Sequence, residues 1–154
     1  MKSKSLFTIV LIFVSLYTFA QPISEPFKKA NTILIETKLP SEIVFKKWGR
    51  HLVLNGYSLD KSDKDFLVLT TNPKAASSYN TEFILSSTID DNGVIIIKIA
   101  HAISSMANHP RFSSDAYSDW QYVERKKDLR NIVYRDVMET ISSFGDFNVF
   151  YERQ

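Results

Sequence analysis

Three histidines, His51, His101 and His109, are the residues of this chain best suited to metal or proton chemistry. His101 and His109 bracket one long stretch, with Asp115 and Asp119 beyond it. Three such groups converging would make a mononuclear metal site or a small hydrolytic centre built on His101, His109 and Asp115. The spacing points elsewhere. Nothing has the H-E-x-x-H pattern that sets two ligands on one helix face, and a strand-end histidine followed by an Asn-His-Pro turn is the plainer reading. The serine pairs Ser77-Ser78, Ser86-Ser87, Ser104-Ser105 and Ser113-Ser114 lack a G-x-S-x-G elbow, and read as turn or surface residues. Asp60, Asp63 and Asp65 lack the glycine and the closing glutamate of a calcium loop. With no cysteine there is no thiol nucleophile, disulfide or thiolate zinc site. No catalytic residue, metal or cofactor is called for.

Recognition is better served. His109, Arg111, Phe112, Tyr117 and Trp120 cluster along one loop and the segment after it, and Trp, Tyr and Arg are the side chains most enriched where binding energy concentrates. These five are the candidate ligand- or partner-binding residues. For Trp120 the reading favoured over this one is a seal that closes the start of a helix onto a sheet. The run Arg125-Lys126-Lys127, with Arg130 and Arg135, alternates with Glu124, Asp128, Asp136 and Glu139. Such mixed charge reads as a solvated helix face carrying i, i+4 pairs.

The elements that would position these residues are short. Thr32 to Thr37 (TILIET) is β-rich and predicts a first strand. Val44, Phe45, Trp48 and Leu52 form one apolar stripe, predicting a helix over about 40–54 with Ser41 or Thr37 as its cap and Gly56 as its stop. Residues 57–71 predict two strands around the polar turn 62–65, with Phe66 inside the second, and 74–80 a loop. TEFILSSTID, DNG and VIIIKIAH predict a hairpin whose Asn92-Gly93 turn takes positive φ. Its second strand is apolar on both faces and should be central. Ser118-x-x-Gln121 reads as a capping box opening a long helix to Phe144, after which Asn148 to Glu152 can add a last strand. The order β-α-β-β-β-β-α, with or without that strand, predicts an α+β two-layer sandwich: a mainly antiparallel sheet with two helices on one face.

The N-terminus reads as an address. Lys2 and Lys4 precede an uncharged apolar run from Leu6 to Phe19, and Thr18 and Ala20 suit a signal-peptidase cut before Gln21. The run is short of the ~20 residues a spanning helix needs. Residues 1–20 are therefore expected to be a secretory signal peptide, 21–30 an arm, and 31–154 a single domain. The product would be periplasmic or secreted. Gln21 stands where a lipid-anchored protein has cysteine, so no stable membrane anchor is expected after cleavage. Without Lys2 and Lys4 the 19 basic residues fall to 17, equal to the 17 acidic ones. That balance removes the electrostatic case for nucleic acid.

The strand TILIET, the Trp-bearing helix SEIVFKKWGRHL, the step NGYSLDKSDKDFLVLTT and the hairpin with DDNG together resemble small exported domains of TBP-like fold, among them the BamC-like domains of bacterial envelope proteins. The resemblance covers about half the chain. It implies a TBP-like α+β fold and an envelope setting, and carries over no catalytic residue. The leading expectation is a non-enzymatic binding module for a protein or small ligand of the envelope. The alternatives are a small hydrolase or metal-dependent enzyme using the 101–119 region, and a structural subunit that oligomerises through an edge of the apolar hairpin.

Overall fold

A computed structural model describes residues 24–77, 80–103, 117–145 and 147–154. Residues 1–20, the expected signal peptide, lie outside the described residues. Among the described residues the fold is α+β, with one antiparallel sheet of eight strands and two helices. The strands are β1 (Thr32–Glu36), β2 (Leu59–Asp63), β3 (Val68–Thr71), β4 (Lys74–Ala75), β5 (Thr81–Ile89), β6 (Val94–Ile103), β7 (Ser118–Asp119) and β8 (Asn148–Glu152). The helices are α1 (Ser41–Leu54) and α2 (Leu129–Ser142). The spatial order is β2-β3-β5-β6-β1-β8, with β4 on β5 and β7 on β6.

The hairpin is the centre of the sheet, as its doubly apolar second strand requires. β5 and β6 pair along their length, with Leu85 opposite Ile99, Ser87 opposite Ile97 and Ile89 opposite Ile95. The structure corrects the turn: it spans Asp90 to Gly93, and only Gly93 has positive φ (76°). Asp90 does the remaining work, its Oδ1 accepting from the backbone N–H of Asn92 (2.9 Å) and of Val94 (2.8 Å). Among the described residues β5 and β6 are interior strands, flanked by β3 and β1. The outer strands are β2 and β8.

Strand alternation decides the core. Ile33 and Ile35 of β1, Phe83, Leu85, Ser87 and Ile89 of β5, Ile95, Ile97 and Ile99 of β6, and Tyr151 of β8 are all buried. Their neighbours Leu34, Ile84, Ile96 and Phe150 are only partly buried. Both helices reach the buried set: Trp48 Nε1 of α1 donates to Ser87 Oγ (3.0 Å), and the hydroxyls of Tyr134 on α2 and Tyr151 on β8 share a 2.9 Å hydrogen bond.

α1 forms where its apolar stripe predicts, with Val44, Phe45, Trp48 and Leu52 buried. Neither Ser41 nor Thr37 caps it: Pro40 takes the capping position without a side-chain bond, and its carbonyl accepts from Ile43 and Val44. The Thr37 hydroxyl is committed elsewhere, donating to Gly93 O at 2.8 Å. At the other end Tyr57 N–H bonds Leu52 O and Gly56 N–H bonds Val53 O, a Schellman closure made possible by φ 78° at Gly56. Phe66 is not in a strand; it stands 75 % exposed in the β2–β3 turn.

The largest departure is at α2. The helix begins at Leu129, and Ser118-Asp119 is a strand rather than a capping box. Backbone pairing wins: Trp120 N–H donates to Ile99 O and Tyr122 N–H to Ala30 O. The cap is Asp128, whose side chain accepts from Arg130 N. Residues 124–128 therefore belong to a loop, so Arg125, Lys126 and Lys127 are not on a helix face.

Candidate functional site

Of the five residues that the sequence nominates, His109, Arg111 and Phe112 lie outside the described residues, as do Asp115 of the rival enzymatic reading and the hairpin-to-β7 connection that holds them. Tyr117 is partly buried beside Glu82, and its phenol is pushed up to about 12, first by burial and then by the Glu82 carboxylate. Trp120 corrects the binding expectation. It is fully buried, and so presents no surface to a partner. Its indole stacks on Tyr134 with ring centroids 5.8 Å apart, and Nε1 donates to Arg130 O at 2.7 Å. It thus ties β7 to the first turn of α2.

That tie shapes a recess of about 400 Å³ lined by His101, Arg125, Lys127, Asp128, Leu129 and Arg130. Each wall has an identifiable support. The side-chain amide of Asn131, itself buried, donates to Val123 O at 2.7 Å and fixes the loop before α2. Asp128 N–H donates to Arg125 O (2.9 Å), closing a turn that sets Arg125 and Lys127 at the rim. Tyr122, whose backbone pairs with Lys29 and Ala30, packs edge-on to Tyr134 and anchors the approach.

The charges within the recess do not cancel. Asp128 grips Arg130 in a fork, Nε to Oδ1 and Nη2 to Oδ2, both at 2.9 Å. This clamp holds the Asp128 carboxyl down at about 2. Asp128 is forked by Arg130 and also feels the charge of Arg125, so the described lining sets Arg125, Lys127 and Arg130 against one carboxylate. His101, at the end of β6, donates from Nδ1 to Ser118 O at 3.1 Å. A carbonyl can only accept, so Nδ1 carries the proton and Nε2 of the neutral ring keeps a lone pair. Burial, and then the Arg130 charge, lower the pKa of His101 below its ordinary value. The described lining thus has a net positive charge, with a titratable ring in its wall.

A second polar cluster lies between α1, α2 and β4. His51 Nε2 bonds Thr140 O (2.8 Å), Tyr57 and Thr140 share a hydroxyl hydrogen bond (3.0 Å), and Lys74 Nζ donates to Asn55 O (2.8 Å) while lying 3.7 Å from the Tyr57 ring centroid. Asp136 accepts from both the backbone and the hydroxyl of Ser77 at 2.6 Å. Its groups satisfy one another, which fits a lock between the helices rather than a site awaiting a ligand.

Among the described residues no group of three or more His, Asp or Glu side chains is placed to hold a metal ion, and no helix is long and apolar enough to cross a membrane. Sequence reasoning missed the recess because it placed Arg125, Lys127 and Arg130 on a solvated helix face. The signal that could have found it is Asp128 directly before Leu129, a capping residue at the start of the Leu129, Ile132, Val133 stripe. No known protein family and no curated protein matches the chain.

Proposed function

We propose that this chain is an exported, non-enzymatic binding domain that takes the acidic group, carboxylate or phosphate, of a soluble ligand into the recess at the start of α2. The observation that carries the reading is the excess of positive charge in the described lining, where Arg125 and Lys127 stand beside a carboxylate that Arg130 already grips. Arginine and the ends of helices suit such groups through charge-assisted hydrogen bonds. Export rests on the three-part pattern of residues 1–20, and free solution after cleavage on Gln21 in place of a lipidated cysteine. The two-layer, TBP-like arrangement with both helices on one face is part of the same proposal, supported by the bonds of Trp48 to Ser87 and of Tyr134 to Tyr151.

Calorimetric titration with citrate and with inorganic phosphate tests the reading. Binding should weaken at least about tenfold when Arg125→Glu and Lys127→Glu are combined, a loss of about 1.4 kcal/mol. Equal binding by the double variant, or no binding of either anion to the unaltered protein, would refute it.

A further inference from the structure

The two outer strands of the sheet are built differently, and the difference assigns a partner to one of them. β2 is defended. Its residues Asp60, Lys61 and Ser62 are exposed, its pairing with β3 slips between Leu59 and Lys61, and Lys61 and Asp63 approach to 3.8 Å. Charge, brevity and a bulge are the devices by which edges avoid other strands. β8 is no longer than β2, but it has no bulge, and its one charge, Glu152, stands at its C-terminal end. Asn148-Val149-Phe150-Tyr151-Glu152 pairs with β1 residue for residue, without a shift, and includes no proline and no lysine. Among the described residues its outer edge has no strand beside it.

Apolar surface reaches that edge on both sides of the sheet. On one side Phe150 is opposite Leu34, and Leu34 is opposite Ile96, giving a partly buried row that ends at β8. On the other, a recess of about 220 Å³ is lined by Met138, Ile141, Phe147 and Val149, with Ser142 and Gly145 at its exposed margin. β8 is also complementary to itself. An antiparallel pairing of two copies centred on Phe150 places Phe150 against Phe150, Val149 against Tyr151, and the Asn148 amide against the Glu152 carboxylate, twice over. The two-fold contact closes, so it ends at two copies rather than propagating as a fibre.

We infer that β8 is the seam of a homodimer, in which a second copy of this chain extends the sheet edge to edge and brings its own α2 against the recess at Met138 and Val149. The inference is independent of the anion site.

Sedimentation velocity and light scattering on the purified protein test it across concentration. A dimer mass is expected, and Phe150→Lys should convert it to monomer, raising the dissociation constant at least about tenfold. Thermal unfolding of the monomeric variant should remain cooperative, which separates lost association from lost fold. Mixing Phe150→Lys with Phe150→Glu should restore the dimer, because opposite charges then face each other across the seam. Asp60→Asn, on the other edge, should leave the mass unchanged. A monomer at all concentrations up to about 1 mM would overturn the inference, as would a dimer indifferent to Phe150→Lys or one abolished by Asp60→Asn.

Discussion

Trp120 and Arg130 are joined by a 2.7 Å hydrogen bond from the indole Nε1 to a backbone carbonyl in the first turn of α2. The bond links a residue just beyond β7 to the helix end that carries the Asp128–Arg130 fork, so the recess is held by the core and not by the loop alone. Trp120→Phe keeps a ring against Tyr134 but removes the donor. It should cost about 1–2 kcal/mol in urea unfolding, and Trp120→Ala about 3–5 kcal/mol. A neutral Trp120→Phe would show that the bond carries no strain-bearing role at this junction.

Gly93 is the most constrained glycine of the fold. It has φ 76°, and a Cβ there would overlap the carbonyl oxygen of Leu39. Gly93→Ala must therefore open the contact between the hairpin turn and the entry to α1, and should cost more than about 2 kcal/mol. Gly56 has a similar φ but open space around it, so Gly56→Ala should cost only the conformational penalty of about 1 kcal/mol. Chemical denaturation of the pair separates the two causes; equal losses would mean that φ alone is felt.

Stability should narrow at both ends of the pH scale. Burial raises the phenols of Tyr57, Tyr134 and Tyr151, and that of Tyr117 to about 12. A raised folded-state value favours the neutral phenol, so this contribution is full below about pH 10 and is lost as pH climbs through the folded values. Asp128 has the opposite sign. Its folded value of about 2 lies below the ordinary 3.8, so its contribution is full above the latter and is lost as pH falls through the former. Thermal midpoints, followed with phenolate absorbance, should fall above about pH 10. A midpoint flat from about pH 9 to about pH 12 would contradict the tyrosine assignment.

The hairpin was legible in the sequence because everything that makes it is local: alternating isoleucines, and Asp90 and Gly93 within four residues. α1 was legible for the same reason, its stripe and its Gly56 stop being contiguous. The start of α2 was not. Ser118 and Gln121 have the right spacing for a capping box, yet the partners that decide the backbone are Ile99 O and Ala30 O, brought in from β6 and from the segment before β1. Phe66 misled in the same way: it continues the alternation of β3, but Leu67 adopts φ 52° and leaves Phe66 in the turn. The recess could not be read directly, since His101 reaches it from the end of β6 and Arg125 from a loop that the capping box had assigned to a helix. Trp120, one of the five nominated residues, is buried against the start of α2, in keeping with the favoured reading of it as a seal.

The most direct measurement of the binding account is the titration of His101 by proton NMR, with and without inorganic phosphate. The free protein should show His101 titrating below its ordinary 6.5, because burial and Arg130 disfavour its charged form. Phosphate held beside Arg125 and Lys127 should raise that value, since the anion favours the imidazolium across the recess, and Arg125→Glu with Lys127→Glu should abolish the rise. A His101 titration unchanged by phosphate, while the protein stays folded, would contradict the account.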